Sequence, residues 1–317
     1  MPGSTLSVFG EPDDFQAALK EDGCVDLLVT GQGKFRAHYS LIALRNMRLA
    51  LGDERQSRVA FVSIPSRFTR VTLPTRSLES LICSGIAIEP HQIITHSTGH
   101  RFHERINGSC RWGTMSILTQ DLATAGYVIS GNPFALPAGE SRWHPAPDAF
   151  TSLISLHRNA MAATANSPGL PADEQAARGL KQQLLTALIE CLAGQPMDHS
   201  DPTRRRSVKI MAGFEDEILT SSAVRTPLAE ICLGLGVSEH TLRRCCRDHL
   251  GMGPSRYLYL RRMRLANRAL RDADHPGNSV GEIVRLHGFD NRGSFPRAYR
   301  AIFGEAPSET LKRRIEN

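Results

Sequence analysis

The chain has 317 residues, which is enough for two domains that each bury a core. Its net charge of +6 is uneven: from Asp201 onward it carries 21 Lys and Arg against 14 Asp and Glu, whereas the first 200 residues carry 17 and 18. The odd number of cysteines, seven, argues against a disulfide framework, and the absence of a Cys-x-x-Cys pair argues against a zinc finger. No run of about 18 apolar residues exists, so we expect no membrane-spanning helix. A basic C-terminal part suits a polyanionic partner. Since the N-terminus lacks a basic region followed by an apolar run, we expect a cytoplasmic protein.

The first 130 residues are predicted to be mainly β. After a short helix around Asp13–Lys20, Gly, Pro, Asn and Asp separate β-rich runs at intervals of about ten residues, which favours an antiparallel barrel or sandwich. The runs are Val25–Thr30, Phe35–Leu44, Arg58–Ile64, Arg70–Leu73, Ser80–Ile88, Gln92–His96, Phe102–Ile106 and Arg111–Ile117.

Four histidines in this part are candidate metal ligands. His91, His96, His100 and His103 lie within thirteen residues, next to Glu104. The His-x-His pair with a nearby carboxylate is absent, and strand alternation would place these side chains on different faces. We therefore predict no metal site, and polar loop and strand-end histidines instead. The chain also lacks a Gly-x-Ser-x-Gly turn and a phosphate-binding glycine loop, so we expect no catalytic residues, no cofactor and no enzyme.

A Pro-rich connector from Asn132 to Pro147 leads into two helical patterns. The first is marked by Phe150–Met161, and the second runs from about Ala172 to Ala193 with leucines at i, i+4 and i+8. That stripe either packs on its own β domain or forms a dimer interface. Gln195–Arg206 follows as a linker, whose arginine run is either a solvated tether or a phosphate contact.

The basic part begins with a predicted helix-turn-helix unit. Thr226 is expected as the N-cap of its first helix, with proline at the first helical position. Gly236 permits the turn, and Ser238 caps a second helix whose buried side carries Leu242, Cys245 and Leu250. The opposite side presents donors for base edges and phosphates, namely His240, Arg243, Arg244 and Arg247.

The pattern recurs after a long helix from Pro254 to Arg271, which would span about 27 Å and could place two recognition helices in successive major-groove segments about 34 Å apart. Ser279 and Glu282 form a capping-box pattern, and Gly288-Phe289 is the turn. The stretch Asn291–Phe303 buries Phe295, Tyr299 and Ile302 and offers Arg292, Arg297 and Arg300 outward.

These residues resemble the C-terminal DNA-binding domain of AraC/XylS-type bacterial transcription regulators over about 110 residues. The matching motifs are Ser238-x3-Leu242-x-Arg244, Leu250-Gly-x2-Pro254-x2-Tyr257, Arg264-Leu-x3-Ala269-Leu, Gly288-Phe289, Phe295-x-Arg297-x-Tyr299-Arg and Phe303-Gly-Glu-x-Pro307-Ser. The tail is similar to the subgroup that includes the ethanolamine-utilisation regulators. Gly293 and Pro296 depart from the commonest pattern. If Ser294 is the N-cap, Pro296 lies in the first turn, and the second recognition helix is shorter.

The resemblance implies an α+β multidomain fold: an N-terminal antiparallel cupin-like β-barrel with flanking helices, and a C-terminal all-α tandem helix-turn-helix domain. We divide the chain into a β-rich regulatory barrel (1–135), a helical connector with possible dimerisation helices (136–195), a linker (196–206) and the DNA-binding domain (207–317).

The expected function is a sequence-specific DNA-binding transcription regulator, an activator controlled by a small molecule or by dimerisation. Its expected partners are double-stranded DNA, RNA polymerase, a second copy of the chain and an effector that the sequence does not identify. The predicted DNA contacts are Ser238, His240, Thr241, Arg243, Arg244 and Arg247 in the first unit, Asn291, Arg292, Ser294, Arg297 and Arg300 in the second, and Thr226 and Ser279 on phosphates. The alternatives are a small-molecule-binding or metal-binding cupin-like protein with incidental DNA binding, and a nonspecific architectural DNA binder.

Overall fold

The computed structural model describes residues 3–73, 81–166, 173–194, 196, 201–220, 226–272, 279–289 and 294–315. Its N-terminal strands are β1 (Gly3–Phe9), β2 (Cys24–Val29), β3 (Ala37–Leu44), β4 (Met47–Glu54), β5 (Arg58–Ser63), β6 (Phe68–Leu73), β7 (Leu81–Cys83), β8 (Ile86–Ala87), β9 (Ile93–His96), β10 (Arg101–Ile106), β11 (Cys110–Leu118) and β12 (Glu140–Trp143). The helices that flank these strands are α1 (Pro12–Leu19), α2 (Thr119–Ser130), α3 (Pro147–Asn166) and α4 (Glu174–Cys191).

The strands form two antiparallel sheets. The larger has the order β1-β3-β4-β11-β6-β9-β12, and the smaller has the order β2-β5-β10-β7-β8. The predicted antiparallel β domain is thus confirmed, but the two sheets do not close into one barrel. The edge strand β8 has only two residues, too few for a hydrogen-bonded ladder that would join the sheets.

Two apolar layers lie on either side of the larger sheet. Leu27, Ile94, Phe102 and Trp112 belong to the layer between the sheets. The outer layer packs the same sheet against α3 and α4, where Leu184 and Leu188 are completely buried.

The leucine stripe of α4 therefore packs on its own domain, which is the first of the two interpretations of that stripe. Truncation of either buried leucine to alanine would cost about 2–5 kcal/mol of folding free energy.

Several elements differ from the sequence-based expectation. The strands β1, β4 and β12 and the helix α2 were not predicted, and the run 80–88 contains two strands that meet at a turn with Gly85 at φ 82°. β12 lies within the segment assigned to a connector, where Arg142 and Trp143 pair with Ile94 and Ile93 of β9. The helix α5 (Pro202–Thr220) begins inside the predicted linker, and the domain boundaries stay predictions.

The C-terminal helices are α5, α6 (Leu228–Gly234), α7 (Glu239–Leu250), α8 (Pro254–Arg271), α9 (Val280–Leu286), α10 (Phe295–Phe303) and α11 (Pro307–Ile315). The helix α8 contributes to two cores. Tyr257 and Leu260 pack with α5, α6 and α7, whereas Met263 and Leu270 pack with α9 and α10. The described helices include none that is both long and apolar enough to cross a membrane.

The first of these helical cores also reaches the β domain. Leu28 of β2 and Val59 of β5 are buried in the same cluster as Met211 and Phe214 of α5. The outer face of the smaller sheet therefore carries the C-terminal helices, and apolar burial contributes to holding the two parts together.

Candidate nucleic-acid interface

The first helix-turn-helix unit consists of α6 and α7. Between them Gly236 has φ 62°, a left-handed conformation that favours glycine, and the N–H of Val237 donates to the carbonyl of Cys232 at 3.1 Å. The Oγ of Ser238 accepts a hydrogen bond from the backbone N–H of Thr241 at 3.2 Å. The predicted N-cap of the recognition helix is therefore confirmed.

The predicted start of α6 is wrong by one residue. The N-cap is Pro227, whose ψ of 143° is extended, so the first helical residue is Leu228. Thr226 stands one position before the cap instead of occupying it. Its contact with a DNA phosphate stays a prediction.

The helix α7 separates apolar from basic side chains as the sequence indicates. Leu242, Cys245, Cys246 and Leu250 are buried. His240, Arg243, Arg244 and Arg247 are exposed on the other side. The Arg243 guanidinium donates to the Glu239 carboxylate one turn earlier, at 2.7 Å. This face presents several donors at the spacing of successive helical turns, which is the geometry that reads a major groove.

The second unit consists of α9 and α10. Its first helix has the predicted capping box: Ser279 Oγ accepts from the N–H of Glu282 at 3.2 Å, and the Glu282 carboxylate accepts from the N–H of Ser279 at 3.3 Å. In α10, Ser294 is the N-cap and Pro296 lies in the first turn, so the helix has nine residues against twelve in α7. The prediction of a shorter second recognition helix is confirmed.

The basic residues of α10 are placed as follows. Arg297 and Arg300 are exposed, and Arg300 Nη2 lies 3.6 Å from a carboxylate oxygen of Glu309 on α11. Asn291 and Arg292 lie outside the described residues, so the structure does not place these two predicted contacts.

The long helix α8 holds the two units in one arrangement, because both helical cores close on it. At 18 residues it spans about 27 Å, as predicted. Near its C-terminal end the Asn267 amide donates to the Tyr299 hydroxyl at 2.5 Å, and that hydroxyl lies 2.9 Å from Thr310 Oγ1. These contacts link α8, α10 and α11.

One side of α8 carries arginines that bind carboxylates of the β domain. Arg264 donates to Asp26 and to Asp13, each at 2.6 Å, and Arg268 donates to the same Asp13 oxygen at 2.6 Å. Arg271 and Glu11 add a further pair at 2.7 Å. These arginines therefore contact the N-terminal domain in this arrangement.

A buried cluster around Glu215 of α5 forms the second part of the domain contact. Its Oε1 lies 2.8 Å from His103 Nε2 on β10 and accepts from the Tyr257 hydroxyl at 2.7 Å, while Arg261 donates to Oε2. Arg261 also lies 2.9 Å from an Asp26 oxygen. Three segments far apart in sequence thus converge on one carboxylate.

The charges of this contact are set by their surroundings. Burial alone would raise the pKa of Glu215, but the Arg261 guanidinium and the hydrogen bonds from His103 and Tyr257 lower it to about 2. Burial likewise opposes ionisation of Asp13, yet hydrogen bonds from Arg268 and Arg264 hold the pKa of that carboxyl below its ordinary value. Both carboxylates are therefore charged at neutral pH.

Sequence reasoning did not find this domain contact. From the sequence, His103 is weighed only as a metal ligand, and the arginines of α8 are given no role. The pairs are separated by more than a hundred residues, for example 112 for His103 and Glu215 and 238 for Arg264 and Asp26. The signal in the sequence that could have indicated this contact was the acidic composition of residues 11–26 together with the basic face of α8. Periodicity within each segment does not show that the two segments meet.

The C-terminal part has two helix-turn-helix units that share one helix, and each unit has an exposed basic recognition helix. This arrangement is similar to that of DNA-binding domains with tandem helix-turn-helix units. A profile described as a helix-turn-helix domain matches residues 231–313. An activator of the XylDLEGF operon of Pseudomonas putida is 29% identical over 167 residues, 53% of this chain and 48% of that protein. A probable regulatory protein of the thc operon of Rhodococcus erythropolis is 35% identical over 85 residues, 27% of this chain and 26% of that protein.

Among solved structures, the AraC-like transcriptional activator CuxR is 16% identical with a TM-score of 0.43, over 90% of this chain and 100% of that one. The alignments with the curated relatives named above span about half of their length or less. The sequence matches and the tandem helix-turn-helix arrangement make the C-terminal part similar to the DNA-binding domain of AraC/XylS-type transcription regulators.

Proposed function

We propose that this protein is a sequence-specific DNA-binding transcription regulator, an activator, that acts in the cytoplasm. The observation that carries the proposal is the pair of recognition helices, α7 and α10, whose exposed faces are basic and whose cores share α8. A rigid spacer between two such helices suits two successive major-groove segments of one duplex.

The residues divide into two roles under this proposal. Helix N-termini attract phosphates, so Ser238 and Thr241 in the first unit and Ser279 in the second, with Thr226 beside the start of α6, fix the position on the backbone. The bases are read by His240, Arg243 and Arg244 on the exposed face of α7 and by Ser294 and Arg297 of the second unit. Asn291 and Arg292, which lie outside the described residues, are proposed to contribute to the same readout. Arg247 and Arg300 lie at the ends of the two helices and suit peripheral contacts.

The N-terminal domain controls DNA binding through its contact with α8 and α5. The ion pairs of Asp13 and Asp26 with Arg264 hold the long helix against the β domain. Beside them lies an open crevice of about 510 Å³, lined by Gln16, Lys20 and Arg268 among others. A small molecule that enters this crevice would change the arrangement of the ion pairs, which is a direct route from effector to DNA-binding domain.

The further partners are RNA polymerase and a second copy of the chain. An activator must contact the transcription machinery, and many DNA-binding proteins match a two-fold operator with a two-fold dimer. Light scattering with and without operator DNA tests the dimer. If the protein mass corresponded to one chain both without DNA and in the complex with operator DNA, this part of the proposal would be contradicted.

Selection from a random DNA library with the full chain at fixed salt tests the main proposal. We expect one enriched motif with two half-sites about one helical turn apart, bound at least 1000-fold more tightly than random DNA. The proposal would be overturned if neither the wild type nor the double variant Asp13→Asn, Asp26→Asn enriched any motif. The variant is needed because the domain contact could hold the wild type in a state that does not bind.

A further inference from the structure

His96, His100 and Glu140 meet at one edge of the larger sheet, where β9 pairs with β12. We infer that these three residues form a binding site for one divalent transition-metal ion. One ligand atom of each residue lies within 4.8 Å of one atom of each of the others. That spacing allows the three atoms to surround a single ion after small side-chain movements, since metal–ligand distances are about 2.0–2.2 Å.

The backbone places the three side chains together. His96 is the last residue of β9 and Glu140 is the first of β12, and the two are direct partners in the antiparallel ladder. The turn that follows β9 is tied to the same strand, because the N–H of Ser97 donates to the carbonyl of Gly139 at 2.9 Å. The carbonyl of His100 accepts from the N–H of Ile64 at 2.9 Å. The ligand positions are therefore fixed by the fold.

Several polar side-chain atoms of the three residues are buried without a hydrogen-bond partner in the described part of the chain. They are both ring nitrogens of His96, Nε2 of His100 and Oε2 of Glu140. His96 Nε2 and Glu140 Oε2 lie 3.4 Å apart without hydrogen-bond geometry. Buried polar atoms without partners are rare and cost folding free energy, on the order of 1–3 kcal/mol each. A shared ion would satisfy one atom of each residue at once.

The two oxygens of Glu140 have different surroundings. Oε1 accepts from Arg204 and lies 3.0 Å from Arg142 Nη2, whereas Oε2 faces the histidines. The guanidiniums thus orient the carboxylate from behind, as partners of metal ligands commonly do. They also offset part of its negative charge, so we expect weaker binding than at a site rich in free carboxylates.

The imidazole rings lie in an apolar setting. The His96 ring stacks on Phe102 with centroids 3.8 Å apart, and the His100 ring is 5.5 Å from that of His96.

The ligand set indicates the class of ion. Two imidazoles with one carboxylate suit Zn²⁺, Co²⁺ or Fe²⁺, whereas Mg²⁺ and Ca²⁺ prefer oxygen ligands. Three protein ligands leave at least one coordination position open to water or to a small anionic ligand.

Metal titration of the purified full chain tests the site. The protein is treated with a chelator, dialysed, and titrated with Co²⁺ under visible absorption and with Zn²⁺ by competition. We expect one equivalent of Co²⁺ with the absorption of a low-coordinate nitrogen–oxygen site. His100→Gln and Glu140→Gln should each weaken binding at least tenfold.

His100 is partly exposed, so its variant should retain the fold, which circular dichroism checks. His144→Gln is the matched control, because His144 lies outside the cluster and next to Glu89. It should bind as the wild type does. Failure of the wild type to bind Co²⁺ or Zn²⁺ at about 100 μM, or unchanged binding by both cluster variants, would overturn the proposal. The readout does not involve DNA, so it is independent of the function proposed above.

Discussion

His103 on β10 and Glu215 on α5 lie 2.8 Å apart and both side chains are completely buried. One belongs to the β domain and the other to the first helix of the C-terminal part. Since Glu215 also binds Tyr257 and Arg261 of α8, a single carboxylate joins the sheet, the helix that leads into the first helix-turn-helix unit, and the spacer helix. Loss of that charge would leave His103 and Tyr257 without a charged acceptor and would leave Asp26 as the carboxylate partner of Arg261.

We expect Glu215→Gln to lower the free energy of unfolding at neutral pH by about 3 kcal/mol, because the buried Arg261 then keeps only Asp26 as a counter-charge and His103 and Tyr257 lose a charged acceptor. Equilibrium urea denaturation measures this change. Glu190→Gln removes the same charge from an exposed position on α4 and should have little effect. Equal effects of the two substitutions would contradict the assigned role of Glu215.

The same carboxylate predicts a pH dependence. Its pKa is about 2 in the folded chain, below the ordinary value of 4.5, so its contribution is complete above about pH 4.5 and is lost as the pH falls toward 2. The stability difference between the wild type and Glu215→Gln should therefore shrink over that interval. Denaturation curves at several pH values test this. A difference that stays constant down to pH 2 would exclude the carboxylate as its source.

The acidic residues that face α8 predict a gain in DNA binding. Replacement of both Asp13 and Asp26 by asparagine removes the partners of Arg264 and Arg268, so we expect tighter DNA binding by several-fold at low salt. Asp53→Asn with Asp148→Asn is the matched control, since both residues are exposed and the net charge changes equally. If the two double variants gain equally, net charge rather than the domain contact explains the result.

Arg244 lies on the exposed face of α7, and Arg244→Ala should weaken binding to the selected operator by roughly 1–3 kcal/mol and relax the preference at one base pair. Titration of operator and random DNA at one salt concentration measures both effects. Arg111→Ala removes an exposed arginine from the β domain and serves as the control. An equal loss on operator and random DNA would identify Arg244 as a phosphate contact.

Arg297→Ala should cost less than Arg244→Ala, because α10 has nine residues and offers fewer outward positions than α7. The two variants are compared on the same operator at the same salt concentration. A larger loss at Arg297 would show that the second helix makes the stronger base contacts.

The features predicted well from the sequence are those that neighbouring residues determine. The caps at Ser238 and Ser279 and the start of α10 after Ser294 depend on a few adjacent side chains, so the sequence indicates them directly. The strand β4 was missed because Leu, Ala and Gly, which are not typical of strands, make up half of its eight residues. Its strand conformation depends on pairing with β3 and β11 on either side.

The same limit applies to the site residues that were missed. Glu140 was assigned to a connector, and only its pairing with β9 brings it to His96. Interdomain partners such as Arg264 and Asp26 share no periodic pattern, because they belong to different elements. Their separation along the chain does not indicate whether they are close in space. Contacts of this kind require the tertiary structure.

The arginines of α8 have a further consequence for encounter with DNA. Glu11, Asp13 and Asp26 act as built-in counterions for Arg261, Arg264, Arg268 and Arg271. The positive field that a DNA duplex would meet is therefore smaller than the number of Lys and Arg residues in the C-terminal part suggests. Fewer of the counterions condensed on the DNA would be released on binding. Under the proposed function, long-range attraction to DNA is reduced accordingly, and discrimination between sites depends more on the short-range fit of α7 and α10 in the grooves.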